Sequence, residues 1–432
     1  MMMRSACAIT GIAVLLILCG LVRGVERFPP PDFESGHQLP SPTTPHPRQD
    51  VYEYIDVAVL LAALALSSYL VLRKRSRRAI FALTVFSLLY FGFWRQGCVC
   101  PIGATQNIVL SIFDPEYVAP VTVAAFFLLP LVFTLFFARS FCAAVCPLGA
   151  IQDLVLCRPV TVPGWVESGL RLFAYVYLGA AVLFAATGSA FVVCRYDPFI
   201  SIFRLTGGLN ILVFGACLLL IGVFIGRPYC RFLCPYGVIL RQFSRLSRRR
   251  VTITPDECIH CKLCEDACPF GAIKKPAAQW SDRDYAVARK RLGFLILALP
   301  VLILAGGWAG SSLKAVTARA HETVRLAERI YLEETGAVTD TTDASAAFRA
   351  SGKGIEQLYR DASNIRAQFE LGGWIFGGFV GLVIGLKLIG LSVWRRREDY
   401  EADRAGCLAC GRCFEYCPRE HVRLEKAKEV RT

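Results

Sequence analysis

The chain has 432 residues, of which 55% are hydrophobic and 19% charged, with a formal net charge of +14. That balance lies well off the soluble average and excludes an ordinary water-soluble domain. The positive charge falls in short runs beside apolar stretches and builds no basic stripe with interleaved aromatics, which sets nucleic acid aside as a partner.

In chain order, residues 1–22 carry one Arg before the apolar stretch Cys7–Val22 and read as a signal peptide or an N-terminal anchor. Residues 23–50 are rich in Pro, an external linker. Apolar stretches able to cross a hydrocarbon core of ~30 Å follow at 52–72, 79–94, 120–138, 168–192, 210–226, 292–310 and 373–394. Arg73–Arg78, Arg241–Arg250 and Arg395–Arg397 each follow such a stretch and mark the cytoplasmic side. Alternate threading then puts 73–78, 139–165, 227–291 and 395–432 inside, and 23–50, 95–119, 193–209 and 311–372 outside. The expected location is the bacterial cytoplasmic (inner) membrane, multi-pass. Arg171 and Lys387, near the ends of their stretches, are expected to snorkel.

These segments divide the chain into a transmembrane Cys-Pro domain (51–245), a first ferredoxin half (246–290), a transmembrane helix (291–310), an external helical hairpin (311–372), another transmembrane helix (373–394) and a second ferredoxin half (395–432). The hairpin is read from apolar three-four spacing at Leu313, Val316, Ala320, Val324, Ala327 and Tyr331. A second set is Ile355, Leu358, Ala362, Ile365 and Phe369, with turn-rich Gly336–Ser345 between them. The fold class expected is an all-α polytopic membrane protein with repeated Cys-Pro half-helix loops, plus a split bacterial-type ferredoxin module for two [4Fe–4S] clusters.

The chemistry sits in the cysteines. Cys258-x2-Cys261-x2-Cys264-x3-Cys268-Pro269 and Cys407-x2-Cys410-x2-Cys413-x3-Cys417-Pro418 have the thiolate spacing of [4Fe–4S] ferredoxin halves. In such folds the fourth Cys of each run serves the other cluster. Cys258, Cys261, Cys264 and Cys417 are therefore assigned to one cluster, and Cys407, Cys410, Cys413 and Cys268 to the second. Zinc knots do not ask for the x3-Cys-Pro ending, and disulfides need an oxidising compartment.

Three shorter motifs punctuate the apolar part: Cys98-x-Cys100-Pro101, Cys142-x3-Cys146-Pro147 and Cys230-x3-Cys234-Pro235. Each follows a span and opens a short amphipathic run with Pro at the first helical position, where its missing N–H costs nothing. Cys142, Cys146, Cys230 and Cys234 come from two equivalent inner loops and are read as one centre. Cys98, Cys100 and Cys194 fall together on the opposite face, as a metal centre with a fourth ligand from elsewhere or as a disulfide plus a thiol. Cys7, Cys19, Cys157 and Cys217 are expected to be small apolar filler.

The run Arg227-Pro228-Tyr229-Cys230-Arg231-Phe232-Leu233-Cys234-Pro235-Tyr236-Gly237, with Cys142-x3-Cys146-Pro147 and the ferredoxin motifs, resembles the NosR/NapH family of membrane polyferredoxins. The likeness covers residues 80–275, with Cys407–Pro418 as a displaced second half. It implies a membrane-embedded electron carrier serving an extracytoplasmic reductase or its maturation. The chain departs from NosR-type proteins in lacking room at 23–50 for their external flavin-binding domain, so no flavin is expected.

Five histidines, none within a predicted span, exclude a bis-His haem in the bundle. No Cys-x-x-Cys-His, P-loop or dinucleotide fingerprint occurs. The cofactors expected are two [4Fe–4S] clusters and one or two further Cys-ligated iron–sulfur or metal centres. Expected partners are the bilayer, a cytoplasmic or quinol donor, and an extracytoplasmic redox partner such as a flavoprotein. The function read from this is electron transfer between the two, as a component of an oxidoreductase system. The alternatives are a metal-reducing maturation or assembly factor and an iron–sulfur redox-sensing regulator.

Overall fold

Sustained apolar composition leaves the backbone one economical way to satisfy its own hydrogen bonds, and the chain takes it as helix. The computed structural model describes residues 49–206, 208–253, 258–277, 282–393 and 397–429. The expected leader (1–22) lies outside the described residues, as does the linker at 23–48. Among the described residues, five helices are long and apolar enough to cross a membrane: Asp50–Lys74, Arg77–Trp94, Gly164–Ala186, Tyr285–Ser312 and Ile355–Ser392. Pro198–Arg204 and Leu209–Gly222 make a sixth if the bent pair is one span, and Val121–Phe137 is a shorter apolar helix. The seven stretches expected from sequence overlap these helices, but those at 120–138 and 210–226 fall on helices shorter than a full span, Val121–Phe137 and Leu209–Gly222.

Between them stand short helices that open on Xaa-Pro. Pro101–Phe113, Pro147–Val155, Pro198–Arg204 and Pro235–Arg245 each carry Pro in the first turn, after an extended residue: Cys100, Cys146, Asp197 and Cys234, respectively. These half-helices bury their first turns against the long helices. One apolar core joins Leu60 and Leu64 to Ile102, Leu148, Phe199 and Tyr236.

The last two long helices cross on glycine. A Cβ at Gly377 would collide with the Gly306 carbonyl, one at Gly310 with that of Gly373, and one at Gly381 with that of Leu302. Small residues at four-residue spacing let helix backbones touch where lipid gives no hydrophobic drive. Gly377→Leu is accordingly expected to cost about 1–3 kcal/mol through overpacking, read as a lower Tm in detergent. Gly390→Leu, at a position with nothing within 4 Å, should leave the Tm where it was.

The expected hairpin forms differently from its simple reading. Its second arm is continuous with the following span, as the single 38-residue helix Ile355–Ser392. Its first arm is broken: Ala318–Ala320 is a 3₁₀ turn, and a new helix, Glu322–Glu334, starts at His321, whose Nδ1 accepts from the Thr323 amide at 3.2 Å. This restart shifts the helical phase. Val324, Ala327 and Ile330 face Leu358, Ala362 and Phe369, while Leu313, Val316 and Tyr331 are exposed. The turn-rich segment leads into a further helix, Asp343–Ala350, opened by a Thr342/Ser345 capping box.

The two ferredoxin halves, far apart in sequence, meet. Strand Ile273–Lys274 pairs antiparallel with Glu401–Ala402, Ile273 opposite Ala402 and Lys274 opposite Glu401. Ile253, Ile273, Tyr400 and Phe414 share a core with Leu70, Val71, Ile80 and Leu83 at the ends of the first two spans, and with Ala143 and Ala144. The module therefore sits on the Cys142 loop.

Candidate iron–sulfur sites

The two ferredoxin loops wind alike. His260 and Lys262 flank the second cysteine of one with φ 52 and 64, and Ala409 and Gly411 flank that of the other with φ 55 and 80. Left-handed residues on either side of a cysteine turn backbone N–H groups toward a common concavity suited to an anionic centre; the Ala409 amide donates to Cys407 Sγ at 3.4 Å. Cys258, Cys261, Cys264 and Cys417 line one cavity. Cys413 neighbours Cys407, Cys410 and Cys268. Cys417 thus stands with the Cys258 loop, and Cys268 with the Cys407 loop. Burial pushes the Cys264 thiol up to about 11, with Cys258, Cys261 and Cys417 acting in the same sense. Burial pushes Cys407 up to about 12, against the Ala409 amide. Thiols held neutral in this way must release protons when they ligate metal.

Cys142, Cys146, Cys230 and Cys234 line a second cavity, with Tyr236, Gly237 and Arg227. Its cysteines are held by donors: Gly237 N to Cys234 Sγ at 3.2 Å, Gln152 Nε2 to Cys230 Sγ at 3.4 Å, and Arg139 Nη2 to Cys142 Sγ at 3.5 Å. Donors of this kind set ligand orientation and potential. Among the described residues the one trio of metal-ligating side chains within 4.8 Å of one another is Cys258, His260 and Asp399.

Arg227 is the hub between the inner loops. Its side chain and that of Asp153 are both fully buried, joined Nη2 to Oδ2 at 2.7 Å and Nε to Oδ1 at 2.9 Å. The same guanidinium donates to the Cys142 and Ala143 carbonyls. Arg77 approaches the Asp153 carboxylate at 3.7 Å and donates to the Cys410 carbonyl at 3.0 Å, tying the second ferredoxin loop to the Pro147 helix. Sequence reading missed Arg227, Asp153 and Arg77 as site residues. A signal was there: Arg95, Arg139 and Arg227 each stand three residues before the first cysteine of a Cys-Pro loop.

Cys98, Cys100 and Cys194 also gather. Cys194 and Asp197 neighbour Cys100, Cys98 neighbours Cys194, and Arg204 Nη2 reaches Cys98 Sγ at 3.6 Å. The expectation that this set stands on a face opposite the inner quartet is modified in one respect. Cys100 lines the inner quartet's own cavity, because the Xaa-Pro half-helices carry their first residues into the bundle. Cys98, Cys100 and Cys194 are free thiols. Among the remaining cysteines, Cys217 is free and exposed. Cys7 and Cys19 lie outside the described residues. Lys387 Nζ donates to the Ser168 carbonyl at 2.8 Å, and Arg171 and Arg231 share Glu167.

Fold and cysteine sites together define an iron–sulfur protein with membrane-length helices and a split ferredoxin module. Two family models, both described as 4Fe-4S binding domains, match the chain: one at residues 251–274, the other at 119–157 and 206–254, spanning both inner Cys-Pro pairs. An uncharacterized protein of Methanocaldococcus jannaschii, MJ0750, is 27% identical over 46% of this chain and 82% of its own length. The putative electron transport protein YccM of Escherichia coli is 25% identical over 46% of this chain and 65% of its own. Protein NirI of Paracoccus denitrificans is 31% identical over 27% of this chain and 18% of its own. No solved structure matches.

Proposed function

We propose that the protein is a membrane electron conduit of the NosR/NapH type. Two [4Fe–4S] clusters in the ferredoxin module take electrons from a cytoplasmic or quinol donor. They pass to a centre on Cys142, Cys146, Cys230 and Cys234, then to one on Cys98, Cys100 and Cys194, and out to an extracytoplasmic acceptor. The module faces the cytoplasm of a bacterial inner membrane, a placement resting on the basic runs.

The observation that carries this reading is contiguity. Cys142, Cys268 and Cys407 pack against one cluster, Phe270, Ala272, Leu408 and Cys410, and Cys100 lines the cavity of the inner quartet. Each set of sulfurs abuts the next, an arrangement that a sensor or a structural site does not need. Electron transport in the name of the Escherichia coli relative agrees with it.

Vesicles with the ferredoxin module outward, enclosing ferricyanide and given a reduced low-potential donor outside, test the reading. Enclosed ferricyanide should be reduced by wild type and not by Cys142→Ser/Cys230→Ser. Equal rates in both would overturn the conduit.

A further inference from the structure

The outer set is one ligand short of the inner one, and we infer that Asp197 supplies it. Cys98, Cys100, Cys194 and Asp197 together hold an iron–sulfur cluster with three thiolates and one carboxylate. This rests on the reading above that the outer cysteines form a redox centre.

The two pairs of loops correspond residue for residue at their glutamines. Gln152, on the Pro147 helix, accepts from the Tyr229 amide at 3.0 Å, just before Cys230. Gln106, at the same place on the Pro101 helix, accepts from the Val193 amide at 3.0 Å, just before Cys194. The Pro101 loop therefore pairs with the Cys194 loop as the Pro147 loop pairs with the Cys230 loop. In that correspondence Cys194 stands for Cys230, and the residue before Pro198 stands for Cys234. That residue is Asp197.

Its geometry is that of the ligands it parallels. Asp197 has φ −71 and ψ 115, against −70 and 117 for Cys146 and −62 and 113 for Cys234. Asp197 Oδ1 accepts from the Phe199 and Ile200 amides at 2.9 and 3.3 Å, much as Cys234 Sγ accepts from Gly237. Oδ2 accepts from the Tyr229 hydroxyl at 3.1 Å, and each carboxylate oxygen has more than one lone pair. Asp197 is 2% exposed, and among the described residues those three donors are its partners, with no cation among them. A buried carboxylate without a cation is costly; an iron beside it supplies the missing charge.

A second observation points into the same site. Gln106 is fully buried, and among the described residues its Nε2 has no hydrogen-bond partner. The equivalent nitrogen of Gln152 donates to Cys230 Sγ. Gln106 is thus an unused donor where the inner site spends one on sulfur. Gly103 keeps the space open, since a Cβ there would lie 3.1 Å from Cys194 Sγ.

A carboxylate is a harder ligand than a thiolate, so the iron it holds is the one most easily surrendered. On oxidation by ferricyanide, [4Fe–4S]²⁺ gives up one electron, the Asp197-held iron leaves as Fe²⁺, and [3Fe–4S]⁺ remains. Purified full-length protein, titrated anaerobically with ferricyanide and followed by EPR, tests this. Wild type should develop a [3Fe–4S]⁺ signal that is absent from Cys98→Ser/Cys194→Ser. Asp197→Cys should suppress the signal and lower the cluster's reduction potential. Asp197→Asn, which can keep the same caps, should raise the three-iron fraction before any oxidant is added. If Cys98→Ser/Cys194→Ser changes neither iron content nor EPR, the outer centre itself fails. If that variant loses a centre while both Asp197 variants behave as wild type, the centre stands and Asp197 is not its ligand.

Discussion

Arg227→Ala is expected to destabilise the protein by about 3–5 kcal/mol, the usual consequence of stranding one member of a buried ion pair. The Arg227 and Asp153 side chains are both fully buried. With Arg227 gone, Asp153 keeps Arg77 at 3.7 Å, too long to replace two direct hydrogen bonds. The Cys142 and Ala143 carbonyls lose their donor in the same step, so the two inner loops are no longer held together. Thermal unfolding in detergent and iron per chain check this, with both expected to fall. Arg227→Lys should be nearly as damaging in iron content, because a point charge cannot serve a carboxylate and two carbonyls in one fork. Arg227→Met/Asp153→Leu should recover part of the stability without recovering the iron. An Arg227→Ala protein with wild-type Tm and iron would remove Arg227 from the site.

The second large effect is a crossed lesion. Cys417→Ala is expected to abolish the cluster held by the Cys258 loop, although Cys417 belongs to the other motif. The reason is that Cys417 lines the cavity of Cys258, Cys261 and Cys264, while Cys268 stands with Cys407, Cys410 and Cys413. Adding Cys258→Ala to Cys417→Ala should cost no further iron. Adding Cys407→Ala should roughly double the loss, from about four irons to about eight. Additive losses from Cys258→Ala and Cys417→Ala would mean that each motif ligates its own cluster.

The ferredoxin module was readable because cluster ligation constrains spacing so tightly that two complementary runs mark its two halves. The long helices were readable because apolar length is a property of composition. The hairpin's first arm was not, since a 3₁₀ turn at Ala318–Ala320 resets the phase and passes the seam from Tyr331 to Ile330. Arg227 was not either: a lone Arg before Cys-Pro reads as one more basic residue until the fold sets Asp153 beside it. The meeting of Cys100 with the inner quartet depends on half-helices folding back into the bundle. Threading apolar stretches as full crossings hides that return.

The central claim is that the inner Cys-Pro loops hold a redox centre and do not merely pack. Anaerobic iron and sulfide analysis with EPR, comparing wild type with Cys142→Ser/Cys230→Ser, tests it most directly. The account predicts about four fewer irons in the variant and loss of one separately relaxing signal, with the two ferredoxin clusters intact. About eight irons in both proteins, with superimposable spectra, would contradict it.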